Sequence, residues 1–194
     1  MQAIYWVLTW ACHRRCPHCY DNRFRPYVRD ELTRVVDEGR VAFAKIIANL
    51  PADMSYIDVD GSRKPTMLVL AGGELLIDGV RDALFYPALD AIRARWGKDG
   101  PKISVQTTGD ILTDDHIVAM LTRGVSTIAI ASIDDYHVGH AGDGKFRLMD
   151  TIRAMMARHD VREVSLGIGR DARLPQPEPD ADPGDRPTYL FFCA

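Results

Sequence analysis

The sequence predicts an α/β fold in which parallel strands alternate with helices. Short runs of apolar and β-branched residues have the composition of buried strands, and segments with helical periodicity lie between them. The six strand-like runs are 3–9, 66–71, 103–107, 127–133, 161–168 and 188–193. Their apolar continuity predicts a parallel sheet that is covered on both faces. Because such connections are right-handed, the sheet either closes into a barrel or opens as a doubly wound layer.

Four helices are predicted between these strands. The first spans 30–50 and carries an apolar stripe at Leu32, Val35, Val36, Phe43, Ile46, Ile47 and Leu50. Pro87 suits the first turn of the second helix, whose inner face continues at Leu89, Ile92 and Trp96. The third begins after an N-cap at Thr113 and stops at Gly124. The fourth is marked by Leu148, Ile152, Met155 and Met156.

Composition indicates one globular domain over residues 1–194, since 46% of the chain is hydrophobic and 26% is charged. The net charge of −3 gives no reason to expect nucleic acid or an anionic membrane as a partner. No apolar run approaches a membrane span, and the start of the chain lacks the pattern of a signal peptide. Four cysteines, three of them clustered, suit a reducing cytoplasm.

The segment 171–187 interrupts the alternation of strands and helices. It holds five prolines and several acidic residues, which predicts a loop or lid. The strand-like run 188–193 then reaches the last residues of the sequence. A strand without its covering helix suggests that this chain is a piece of a longer protein.

Three cysteines, Cys12, Cys16 and Cys19, lie in the loop that leaves the first predicted strand. The spacing C-x3-C-x2-C supplies three thiolates to a [4Fe–4S] cluster and leaves one iron open for another ligand. A zinc site with His13 or His18 as fourth ligand is the alternative. Zinc sites normally use two separated pairs of ligands, and the sequence has no second pair. The spacing therefore favours iron–sulfur over zinc without excluding zinc.

Small polar and glycine residues follow three successive strands. They form the runs Gly72-Gly73-Glu74, Gln106-Thr107-Thr108-Gly109 and Ser132-Ile133-Asp134. Each run alone reads as an ordinary turn. Because the carboxyl ends of parallel strands share one edge of the sheet, we expect all three to surround the cysteine loop.

Together these motifs resemble those of the radical S-adenosylmethionine (radical SAM) enzymes, and the resemblance covers nearly the whole chain. In that family three cysteines with this spacing ligate a [4Fe–4S] cluster, which implies that role for Cys12, Cys16 and Cys19. The residue before the third cysteine, here His18, lies near the adenine of SAM in the family.

The remaining SAM contacts are implied by position in the same motifs. Gly72, Gly73 and Glu74 match a Gly-Gly-Glu-Pro motif that holds the SAM amino group, with Leu75 in place of proline. Thr107 matches the start of a Thr-Asn-Gly strand end, with Thr108 in place of asparagine. Ser132 and Asp134 resemble a fourth-strand segment that reaches the ribose or the carboxylate. The run Gly167-Ile168-Gly169 resembles a glycine segment near the adenine.

The resemblance implies a partial (βα)6 barrel of parallel strands that lacks its last helix. It also implies reductive cleavage of SAM to a 5′-deoxyadenosyl radical, which abstracts hydrogen from a substrate that the sequence does not identify. The expected setting is peptide or cofactor maturation, with flavodoxin or ferredoxin as electron donor and a small molecule or peptide as substrate. No catalytic side chain can be named. The competing hypothesis is a non-catalytic interaction module that binds zinc or an iron–sulfur cluster on the same fold.

Overall fold

A computed structural model describes residues 1–130, 142–164 and 188–192, and it shows an α/β protein built on a six-stranded sheet. The strands of this sheet are β1 (Ala3–Thr9), β4 (Met67–Gly72), β5 (Lys102–Thr107), β6 (Val125–Ile130), β7 (Arg162–Glu163) and β8 (Tyr189–Phe192). Every pairing between neighbours is parallel, as the alternation of strands and helices predicts. The predicted α/β class is therefore confirmed.

The order of the strands across the sheet is β1-β4-β5-β6-β8-β7. The last strand in the chain inserts beside β6, where Tyr189 pairs with Thr127, and it leaves β7 at the edge. Hydrophobic periodicity identifies a strand but not its neighbour in the sheet. The sequence therefore does not predict that β8 lies between β6 and β7. The predicted strand 161–168 is confirmed only at its start, since 165–168 lies outside the described residues. The predicted loop 171–187 also lies outside them.

Four helices follow the predicted pattern: α1 (Arg29–Asn49), α2 (Tyr86–Trp96), α3 (Asp114–Thr122) and α4 (Asp143–Arg158). The Thr113 hydroxyl accepts a hydrogen bond from the His116 amide at 3.3 Å, which confirms the predicted N-cap of α3. Gly124 follows that helix with a φ of 77°, which glycine adopts without strain. Pro87 lies in the first turn of α2.

The helices among the described residues pack on one face of the sheet. Alternate strand residues share a face, and the main core joins such residues to all four helices at Leu68, Leu70, Ile103, Val105, Ile128, Phe43, Leu89, Ile92, Ile117, Met120 and Ile152. Tyr5 and Gln106 lie on the opposite face, where the Tyr5 hydroxyl donates to Gln106 Oε1. Tyr5 is 58% exposed. The sequence predicts that both faces of the sheet are covered. Within the described residues, helices cover one face.

Two elements have no counterpart in the sequence prediction. An antiparallel hairpin, β2 (Ser55–Ile57) with β3 (Arg63–Pro65), precedes β4. A π-helical segment, Arg81–Phe85, leads directly into α2. Within the described ranges no helix is long and apolar enough to cross a bilayer.

Candidate functional site at the carboxyl ends of β1, β4 and β5

The cysteine loop leaves β1 and returns beside its own start. Ala11 forms an isolated parallel bridge with Arg25, and the Cys12 amide donates to the Arg25 carbonyl at 3.0 Å. The Cys19 amide donates to the Cys16 carbonyl at 3.2 Å, which forms a tight turn inside the loop. The segment 12–25 is therefore a closed loop with both ends fixed at the end of the first strand, as the sequence predicts for the position of the cysteines.

All three thiols of the motif are free and half-buried. The pKa of Cys19 is raised, first by burial and further by the negative charge of the neighbouring Cys12 and Cys16 thiolates. Cys12 and Cys16 therefore lie close enough to Cys19 to disfavour its ionisation. No group of three or more His, Cys, Asp or Glu residues in the described part of the chain is arranged to hold a metal ion. The three cysteines nevertheless line one cavity.

One cavity of about 280 Å³ collects most of the predicted site residues. Those that line it are Cys12, Cys16, Cys19, His18, Gly72, Gly73 and Thr107. The cavity lies near the lower end of the size range for small-ligand pockets. The expectation that the ends of β4 and β5 face the cysteine loop is confirmed, since side chains or backbone from all three segments form its wall.

Gly72 and Gly73 allow β4 to pack directly against the cysteine loop. A Cβ atom on Gly73 would lie 2.1 Å from the Ala11 carbonyl oxygen and 2.9 Å from Cys12 Cβ. A Cβ atom on Gly72 would lie 2.7 Å from the Thr9 carbonyl oxygen. The close approach is secured by hydrogen bonds from the Gly73 amide to Thr9 O (2.9 Å) and from the Glu74 amide to Ala11 O (2.8 Å). Glycine is required here for packing, besides any approach of a ligand.

Glu74 is fully buried, and protein donors occupy both of its carboxylate oxygens. Oε1 accepts from the Leu76 amide at 3.0 Å and from the Thr107 hydroxyl at 2.8 Å. Oε2 accepts from the amide and the hydroxyl of Thr108 at 2.7 and 2.8 Å. The side chain therefore lies behind the wall of the cavity and joins the end of β4 to the end of β5. The resemblance implies a direct SAM contact for Glu74, whereas the described geometry gives its carboxylate a supporting position.

A charged group that sequence reasoning missed lies beside the cysteines. Asp110 Oδ2 accepts hydrogen bonds from Arg14 Nε (3.0 Å) and Arg14 Nη2, and it lies 2.9 Å from His13 Nε2. The Thr108 hydroxyl also reaches Asp110 Oδ1. The sequence signal was present, because Asp110 directly follows the Thr107-Thr108-Gly109 run, but the family motif ends at that glycine.

The ionisation of this group follows from its contacts. Burial raises the pKa of Asp110, but hydrogen bonds from His13, Thr108 and Arg14 outweigh that effect and hold the pKa below its usual range. The hydrogen bond to Asp110 raises the pKa of His13 to about 9, with a further contribution from Cys12. Arg14 Nε also lies 3.2 Å from His13 Nε2, so both side chains contact the same carboxylate oxygen and each other.

The other residues predicted for the site fall outside the described ranges. Ser132 and Asp134 belong to 131–141, and the run 167–169 belongs to 165–187. His18 is exposed at the rim of the cavity. No family model matches this chain, and no curated protein sequence matches it closely enough to count as a relative.

Proposed function

We propose that this protein is a radical SAM enzyme that binds a [4Fe–4S] cluster through Cys12, Cys16 and Cys19. One observation carries the proposal: the three free thiols, the glycine pair at the end of β4 and Thr107 at the end of β5 line a single cavity. The donor set fits the cofactor, because each of the three thiolates can bind a different iron of such a cluster.

The chemistry supplied by the bound cofactors is one-electron cleavage of SAM to a 5′-deoxyadenosyl radical for hydrogen abstraction from substrate. The chain's own residues would bind and orient. Gly72 and Gly73 bring the backbone of β4 to the cavity without side chains, and Thr107 presents the end of β5. The apolar side chains Phe24 and Ala71, which also line the cavity, would limit the access of water. The substrate, a small molecule or peptide, remains to be identified.

We further propose that the sheet is part of a (βα)6 barrel. Support comes from the parallel pairing of the six strands and from the packing of the described helices on one face, whereas the insertion of β8 between β6 and β7 departs from the sequential strand order of such a barrel. The opposite face leads into the cavity through Tyr5 and Gln106, as the inner face of a barrel would. A cytoplasmic location is proposed from the three free thiols, which a reducing compartment preserves. Flavodoxin or ferredoxin is the proposed electron donor.

A second candidate, a zinc-binding module, is favoured by one observation. His13 Nδ1 is buried without a hydrogen-bond partner among the described residues, while Nε2 of the same ring contacts Asp110. Metal-ligating histidines commonly have their other ring nitrogen held by a carboxylate in this way. However, a pKa of about 9 keeps His13 protonated at neutral pH, so a metal would have to displace that proton. Cluster binding likewise requires the three thiols to lose their protons, so proton loss does not separate the two candidates. The radical SAM proposal is preferred because it also accounts for the glycine pair and Thr107 in the same cavity.

The test is anaerobic reconstitution with iron and sulfide, followed by incubation with SAM and dithionite and an assay for 5′-deoxyadenosine. Cys12→Ala is expected to abolish nucleoside formation. Cys193→Ala, which removes the cysteine outside the motif, is the matched control and is expected to retain it. Colourless protein that holds one zinc per chain would favour the second candidate. Equal nucleoside formation by the wild type and Cys12→Ala would contradict the proposed function.

A further inference from the structure

We propose that Asp110 is a positioning residue that fixes the Cys12–Cys16 half of the cysteine loop to the end of β5 through Arg14 and His13. The inference rests on the proposed function in one respect, namely that the thiols of this loop are the ligands it must present. The attachment itself is a property of the protein chain and can be measured without any metal.

The first step of the argument is the contact with the loop. Arg14 reaches one oxygen of Asp110 with both Nε and Nη2, and its own amide donates to Cys12 Sγ at 3.4 Å. The side chains of Arg14 and Asp110 are only 16% and 15% exposed. Ion pairs at that degree of burial are screened far less by water and salt than surface pairs. Arg14 therefore contacts Asp110 through its guanidinium and the Cys12 sulfur through its backbone amide.

The second step is the anchor on the other side of Asp110. Its Oδ1 contacts the Thr108 hydroxyl, which also contacts Glu74 Oε2 at 2.8 Å. One hydroxyl hydrogen serves only one carboxylate at a time, but the Thr108 amide holds Glu74 independently at 2.7 Å. A continuous chain of polar contacts thus runs from the cysteine loop through Asp110 and Thr108 to the buried Glu74. It ties together the segments that follow β1, β4 and β5.

The third step concerns other contacts between the Cys12–Cys16 half of the loop and the sheet, of which the described residues supply no side-chain hydrogen bond besides those to Asp110. The backbone bonds of Cys12 and Cys19 lie within the segment 12–25 itself. Among the described contacts, Asp110 is the group that joins residues 13 and 14 to the sheet. Removing its charge should therefore loosen the loop while leaving β4 and β5 paired. Arg15, by contrast, is exposed and has no ion pair with a described residue, so it offers a matched control for Arg14.

The experiment is hydrogen–deuterium exchange on the full metal-free chain, read by mass spectrometry over residues 12–25 and 67–72. Asp110→Asn and Arg14→Gln are expected to speed exchange of 12–25 by about tenfold, the factor lost with one charge-assisted hydrogen bond. Asp115→Asn and Arg15→Gln, which remove the same charges from exposed positions, are expected to stay within about twofold of wild type. Arg14→Lys should recover part of the protection, because it keeps the charge but not the fork of donors.

After reconstitution, iron bound per chain is expected to fall in Asp110→Asn and Arg14→Gln but not in the two controls. Unchanged exchange of 12–25 in both variants would overturn the inference, and so would an equal rise over 67–72, which would mark general destabilisation. Failure of the wild type to cleave SAM would overturn the proposed function alone, since the exchange measurement needs neither cluster nor SAM.

Discussion

The charged side chains near the two ends of β4 differ in their exposure to water. At its amino end the hairpin of β2 and β3 carries ion pairs such as Arg63–Asp53, whose side chains are 64% and 63% exposed. At its carboxyl end Glu74 is fully buried, the Asp110 side chain is 15% exposed, and each of these two carboxylates has several hydrogen-bond partners. Water can replace a lost partner at the first end but not at the second. We therefore expect the loss of a polar contact to lower the free energy of unfolding more at the carboxyl end than at the amino end.

The largest expected effect is that of Glu74→Ala. The substitution would leave the Thr107 hydroxyl and the amides of Leu76 and Thr108 without their acceptor. Each buried donor left without an acceptor typically costs about 1–3 kcal/mol. Urea unfolding should therefore show a large fall in the free energy of unfolding. Glu38→Ala is the matched control, because Glu38 lies on the exposed side of α1 and its one ion pair among the described residues is with Arg34.

If Glu74→Ala and Glu38→Ala have the same free energy of unfolding, burial does not distinguish the two ends of β4. Glu74→Gln sharpens the same point. In this variant one carboxylate oxygen becomes an amide nitrogen, which cannot accept hydrogen bonds, while the other oxygen still can. We therefore expect a smaller loss of unfolding free energy than in Glu74→Ala. If SAM affinity falls in Glu74→Gln while exchange of residues 12–25 is unchanged, the carboxylate contacts SAM directly, as the family motif implies.

Sequence reasoning located the wall of the site but not its support. The cysteines, the glycine pair and Thr107 carry local motifs, and the alternation of strands and helices predicts that their segments meet. Asp110 and His13 carry no motif, because their importance comes from a contact between residues 97 positions apart in the chain. The insertion of β8 beside β6 was missed for the same reason. Local patterns specify elements, whereas partners distant in the chain are chosen by packing and charge.

An intermediate effect is expected for Gly73→Ala. The added methyl group would meet the Ala11 carbonyl, which is backbone and cannot move aside as a flexible side chain would. Overpacking of this kind typically costs about 1–3 kcal/mol. The free energy of unfolding should fall, and exchange of residues 12–25 should rise as the loop is displaced. Gly61→Ala, in the exposed hairpin turn with a φ of 80°, is the control for backbone strain alone.

In that control the added methyl group meets no atom within 4 Å, so only the left-handed conformation is penalised. Exchange of residues 12–25 should then match that of the wild type. If both glycine variants loosen the cysteine loop equally, the close approach between β4 and the loop is not what holds it.

The smallest effect is expected for Arg63→Gln at the amino end. The substitution removes an exposed ion pair with Asp53, although the glutamine can still hydrogen-bond to Ser55, which Arg63 now contacts at 2.8 Å. Because water solvates both side chains, we expect no measurable change in the urea midpoint. Cluster content and SAM cleavage should also remain at wild-type levels. A clear loss of stability in this variant would mean that the hairpin, although exposed, contributes to the fold of β4, and the contrast between its two ends would then rest on distance from the cysteines and not on burial.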